Sequence, residues 1–88
     1  MAEKNERVIL TGAGRGIGKA IALELAGAGH KLVLASRTEQ QITEVAAEIT
    51  SSGGTAVAVP TDVADQASVE ALIQRAIEEY GGVDAIVN

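Results

Sequence analysis

The chain has 88 residues, room for one small domain that buries roughly 60% of its unfolded surface. Hydrophobic residues make up 47%, charged residues 22% and cysteines none of it, which excludes a disordered polar tract, disulfides, zinc–thiolate sites and a cysteine nucleophile. Seven Lys and Arg against twelve Asp and Glu give a net charge of −5, and Tyr80 is the one aromatic residue; with neither basic stripe nor stacking platform, a nucleic-acid partner is not expected.

The chain opens on Met1-Ala2-Glu3-Lys4-Asn5-Glu6, polar and mixed in charge, with no signal-like apolar run behind it. Position 2 is not glycine, so N-myristoylation is not expected. Glu24 interrupts the longest apolar stretch, which leaves no membrane span. A soluble, cytoplasmic setting with no membrane partner is the expectation.

The first strand is predicted at Val8-Ile9-Leu10. A first helical pattern follows at Ile17, Ile21, Leu25 and Ala28. Leu32-Val33-Leu34-Ala35 predicts a second strand, and Ile42, Val45, Ala46 and Ile49 a second helix. Ala56-Val57-Ala58-Val59 predicts a third strand, and Val69, Leu72, Ile73, Ala76 and Ile77 a third helix. Ala85-Ile86-Val87 closes the series as a fourth strand. The strand runs are continuous rather than alternating, the habit of parallel strands covered on both faces. Thr38 with Gln41 reads as a capping box, Asp65 as an N-cap, and Gly29, Gly53 and Gly81 as helix stops.

The order is βαβαβαβ. It predicts a three-layer, Rossmann-like α/β fold with a parallel sheet in strand order 3-2-1-4. The first two helices should cover one face and the third helix the other. One helix must then cover a whole face, and the fourth strand is an apolar edge. The expectation is one domain over residues 1–88 that is the first half of a larger doubly wound sheet, continuing past Asn88.

Thr11-Gly12-Ala13-Gly14-Arg15-Gly16-Ile17-Gly18 joins the first strand to the first helix. Glycines there let backbone N–H groups approach an anion, and the helix N-terminus adds partial positive charge. A Walker A loop would need glycine at position 13 and a hydroxyl at position 20, and both are alanine. A G-x-G-x-x-G turn read from Gly12 fails at Ile17. The spacing that remains is T-G-x-x-x-G-x-G, on Thr11, Gly12, Gly16 and Gly18.

This turn resembles the cofactor-binding start of the short-chain dehydrogenase/reductase family. Leu34-Ala35-Ser36-Arg37, Thr61-Asp62-Val63 and Val83-Asp84-Ala85-Ile86-Val87-Asn88 resemble the ends of that family's second, third and fourth strands. The resemblance runs from about Arg7 to Asn88. It implies a dinucleotide held by Thr11, Gly12, Gly14, Arg15, Gly16, Ile17 and Gly18, with Asp62 and Val63 at the adenine and Asn88 near the ribose. An Asx turn is the alternative role for Asp62.

Family members that prefer NAD carry an acid at the end of the second strand. That position is Ser36 here, followed by Arg37. A guanidinium can grip a 2′-phosphate that a carboxylate would repel, and Arg15 could approach it from the turn. The expectation is therefore NADP(H) over NAD(H). The resemblance further implies hydride transfer between the nicotinamide and a small carbonyl or alcohol substrate in a homo-oligomeric parent.

The family's catalytic pair is Tyr-x-x-x-Lys with a nearby Ser. Four residues after Tyr80 stands Asp84, so no such pair exists and no catalytic residue is assigned. His30 is expected at the surface, and the carboxylates are scattered without metal-ligand spacing. Two alternatives stay open. One is a self-standing, non-catalytic half-domain that oligomerises through its sheet edge. The other is a Rossmann-type flavoprotein or methyltransferase.

Overall fold

A computed structural model describes residues 5–88; Met1 to Lys4, read above as a polar leader without a signal, lie outside the described residues. The elements are β1 (Arg7–Thr11), α1 (Gly16–Gly27), β2 (Lys31–Ser36), α2 (Glu39–Ser51), β3 (Thr55–Pro60), α3 (Gln66–Tyr80) and β4 (Ala85–Val87). All pairings are parallel and the strand order is β3-β2-β1-β4, as the sequence predicts.

The apolar runs are continuous because β1 and β2 are buried on both faces. Val8, Leu10, Leu32 and Leu34 pack with Ala22 and Ala26 of α1 and Ile42, Val45 and Ile49 of α2. The alternate residues Ile9, Val33 and Ala35 meet Leu72 and Ala76 of α3. Each fully buried Leu or Ile contributes about 1.5–3 kcal/mol. Two helices thus lie on one face and one on the other. β3 departs from expectation: Ala56–Val59 are half-buried, because β3 lies at a sheet edge.

Several local expectations need correction. The buried stripe of α1 is Ala22 and Ala26, with Ile21 and Leu25 half-buried and Ile17 81% exposed. Small residues let α1 lie close to the sheet, which turns Ile17 toward solvent. His30 is 4% exposed, not a surface residue. The segment entering β1 folds over it, and its Nδ1 accepts the Glu6 N–H at 3.3 Å. Thr38 and Asp65 occupy N-cap positions but their side chains make no capping bond. The Thr38 N–H donates to Ser36 Oγ at 3.1 Å, so Gln41 has no such donor to accept. Before α3, Ala64 N–H donates to Asp62 Oδ1 and Asp62 N–H to Ser68 Oγ. Gly29, Gly53 and Gly81 follow the helix ends, as read.

Tyr80 closes α3, and its hydroxyl donates to the Leu32 carbonyl of β2 at 2.8 Å. Burial pushes its phenol up to about 12. The unfolded value is about 10, so this contribution is full below pH ~10 and is lost as pH rises through about 12. Tyr80→Phe is expected to cost about 0.5–1.5 kcal/mol in denaturant unfolding at neutral pH. It should also flatten the alkaline loss of stability. Unchanged unfolding in both regimes would contradict this role.

Arg7 and Asp84 join the outer ends of β1 and β4. Asp84 accepts Arg7 N–H at 2.7 Å, Nε at 2.9 Å and Nη2 at 3.0 Å. The Arg7 side chain, then its backbone N–H, hold the Asp84 carboxyl down at about 2. An unfolded Asp titrates near pH ~3.9. The stabilisation is therefore present above that pH and lost as pH falls through about 2. Asp84→Asn is expected to remove this component of acid unfolding, read as a shallower stability–pH slope between about pH 4 and 2. An unchanged slope would refute it.

Candidate functional site

β1 delivers Thr11 to a turn that reverses into α1. Gly12 and Gly16 have φ of +68° and +62°, a region costly for side chains. The Gly12 N–H donates to the Ala35 carbonyl at 2.9 Å, which ties the turn to β2. Gly18 faces back onto Gly12: a Cβ there would overlap the Gly12 carbonyl oxygen and lie 2.8 Å from its carbon. Gly14 faces α2, where its Cβ would lie 2.8 Å from Gln41 Cβ and Oε1. Arg15 is the extended N-cap of α1, and the first turn of α1 carries no acid. The helix start thus keeps its positive end unneutralised by its own side chains.

A cleft of about 330 Å³ opens beside the turn, at the C-terminal ends of β1, β2 and β3. Thr11, Gly12, Ser36, Arg37, Thr61 and Val63 line it with Ala35. In open α/β sheets ligands bind at this end of the strands. The lining holds one guanidinium and no carboxylate. Arg15 and Arg37 are exposed, and among the described residues neither has a carboxylate within 4.0 Å.

Asn88 lines a second, apolar cleft of about 200 Å³, with Thr11, Val63, Ile73 and Ile86 among its walls. The Thr11 hydroxyl bridges the two clefts by donating to Asn88 Oδ1 at 2.9 Å. Of the twelve residues singled out in the sequence, Thr11, Gly12, Ser36, Arg37 and Val63 meet in the first cleft. Gly14, Arg15, Gly16, Ile17 and Gly18 form the adjoining turn and helix start. Asp62 Oδ1 is taken up by the Ala64 N–H in an Asx turn, the alternative weighed for it.

Sequence reasoning missed two contributors. Thr61 is buried, with its N–H on the Ser36 carbonyl at 2.8 Å and its hydroxyl on the Val59 carbonyl at 2.9 Å. Gln41 reaches the glycine turn from α2. Its position as the third residue of a helix signals capping, and only the folded arrangement brings it to Gly14.

The chain matches a model of the short chain dehydrogenase family over residues 6–88. It belongs to that family. It is 42% identical over 88 residues to the hydroxysteroid dehydrogenase-like protein 2 of Mus musculus, covering 92% of this chain and 18% of that one. The crystal structure of a hydroxysteroid dehydrogenase from Escherichia coli superposes with a TM-score of 0.94 at 38% identity, covering 97% of this chain and 36% of the other. A 7α-hydroxysteroid dehydrogenase complexed with NADH and 7-oxo glycochenodeoxycholic acid also has a TM-score of 0.94, at 38% identity, over 97% and 33% of the two chains. This short chain dehydrogenase sequence therefore spans only about a third or less of each of these relatives. Family membership sets aside the flavoprotein and methyltransferase alternatives.

Proposed function

We propose that this chain is the NADP(H)-binding part of an oxidoreductase acting on CH–OH or carbonyl groups. The observation that carries the reading is the cleft at the ends of β1–β3, lined by Arg37 and by no carboxylate. The residues present fit a dinucleotide. The glycine turn offers backbone N–H groups and a helix N-terminus to a pyrophosphate, and Gly18 has no room for a side chain. Arg37 holds the 2′-phosphate, with Arg15 approaching from the turn. Val63 packs beside the adenine. The Asx turn uses Asp62 Oδ1, which leaves Oδ2 to accept from the adenine amino group. Ile17, exposed at the helix start, covers the dinucleotide, and Asn88 with Thr11 borders its ribose. When bound, the cofactor would give hydride to a carbonyl or accept it from a CH–OH group.

These residues provide binding and no catalytic pair. Tyr80 spends its hydroxyl on the Leu32 carbonyl, and the residue four positions after it is Asp84, not a lysine. The substrate side belongs to further elements, for which the apolar cleft and the exposed Ile73, Ile77 and Ile86 offer a seat. The parent is proposed to be cytoplasmic and homo-oligomeric; the described residues contain no helix long and apolar enough to cross a membrane.

Mixing this chain with NADPH and a panel of ketones is expected to give no protein-dependent loss of nicotinamide absorbance. Calorimetric titration should show tighter binding of NADP+ than of NAD+. Clear turnover would contradict the division of labour, and equal or tighter NAD+ binding would contradict the cofactor choice. A second reading rests on Ile86, which is 53% exposed on β4 at the sheet edge. It makes the chain a non-catalytic half-domain that oligomerises there. A discrete oligomer with β4 protected from hydrogen exchange would favour it.

A further inference from the structure

We infer that Gln41 is a positioning residue for cofactor binding: it braces the glycine turn against α2 and so fixes the distance between the N–H groups of the turn and Arg37. This role presupposes the dinucleotide cleft proposed for the ends of β1–β3. The glycines of the turn are there for different reasons. Gly12 and Gly16 have positive φ, and a Cβ at either would meet nothing within 4 Å. Gly14 is the reverse case. Its φ is not in the left-handed region, so backbone strain does not call for glycine there. A Cβ at Gly14 would instead lie 2.8 Å from both Cβ and Oε1 of Gln41 and 3.6 Å from its Cδ. The middle of the turn thus rests directly on one side chain of α2, and glycine is what lets it come so close.

That side chain is held from behind. Oε1 can swing away, but a Cβ moves only with its own backbone. Gln41 is the third residue of α2, and the next residue, Ile42, is fully buried in the core with Val8, Leu10 and Leu34. The start of α2 cannot retreat without opening that core. Arg37 is tied to the same helix start. Ser36 Oγ accepts the Thr38 N–H at 3.1 Å, and the Ser36 carbonyl accepts the Thr61 N–H at 2.8 Å. The bond from Gly12 N–H to the Ala35 carbonyl fixes the start of the turn, and the contact with Gln41 fixes its middle, next to Arg15. A dinucleotide with a 2′-phosphate must reach the turn and Arg37 at once, so its affinity depends on their spacing. Gln41 does not line the cleft; it acts through the turn.

The test is a double-mutant cycle between positions 14 and 41, read by titration with NADP+, 2′,5′-ADP and 2′-AMP well below the unfolding temperature. Gly14→Ala forces the turn and α2 apart, and Gln41→Gly removes the brace. Each is expected to weaken NADP+ and 2′,5′-ADP about tenfold. Binding of 2′-AMP, which has no 5′-phosphate to place in the turn, should be unchanged. In the double variant the methyl added at position 14 fills the space vacated at position 41. Affinity should then return to within about threefold of the unaltered chain. Gln41→Ala keeps the Cβ, so it should cost less than Gln41→Gly and should not rescue Gly14→Ala. If the two effects multiply, if Gln41→Ala rescues as fully as Gln41→Gly, or if the variants weaken all three ligands alike or lower only the unfolding temperature, the inference is overturned. If Gly18→Ala also leaves NADP+ binding unchanged, it is the reading of the cleft that fails.

Discussion

Gly18→Ala is expected to weaken cofactor binding by at least about tenfold and to cost about 1–3 kcal/mol of stability, the range for overpacking a tight contact. The added methyl has nowhere to go. Its Cβ would overlap the Gly12 carbonyl oxygen, and backbone cannot rotate away as a flexible side chain can. Either α1 moves off β1 or the turn opens, and both displace the N–H groups that would meet the pyrophosphate. Gly27→Ala is the internal control. It lies at the end of α1 with nothing within 4 Å of its would-be Cβ and no positive φ. Alanine there should stabilise by about 0.5–1 kcal/mol and leave cofactor affinity unchanged. Equal tolerance of both substitutions, read from melting curves and dissociation constants, would mean that the contact of the turn with α1 is not what shapes the site.

Arg37→Glu is expected to weaken NADP+ roughly a hundredfold or more while changing NAD+ little. A forked pair of hydrogen bonds to a phosphate is worth about 3 kcal/mol at the lower end of charge-assisted bonds, close to a hundredfold. The substituted carboxylate adds repulsion on top of that loss. Folding should be unaffected within about 0.5 kcal/mol, since the substitution is on the surface and Arg37 has no ion-pair partner among the described residues. The selectivity ratio from calorimetry is the readout. A parallel loss of both cofactors would move the recognition of the 2′-phosphate away from Arg37.

The sheet was legible because parallel strands buried on both faces need apolar residues at every position. Val8–Leu10 and Leu32–Ala35 say so without help from the rest of the chain. The glycine turn was legible because its spacing has few uses. What escaped was set by contacts between distant segments. Ala22 and Ala26 carry the inner face of α1 because close approach matters more there than side-chain bulk. His30 is buried because the chain entering β1 crosses it. Gln41 abandons the capping role because Ser36, five residues earlier, has taken the donor it would need. The forked contact of Arg7 with Asp84 joins residues 77 positions apart, and no local pattern announces it.

The most direct test is a residue-resolved NMR titration of the chain with 2′,5′-ADP, with 5′-AMP as the control. Saturable shifts at Gly12 to Gly18, Ser36, Arg37 and Val63, stronger with the 2′-phosphate present, are the predicted result. Shifts confined to the separate cavity between α1 and α2, around Leu23, Ile49 and Gly54, or equal responses to the two nucleotides, would contradict the account.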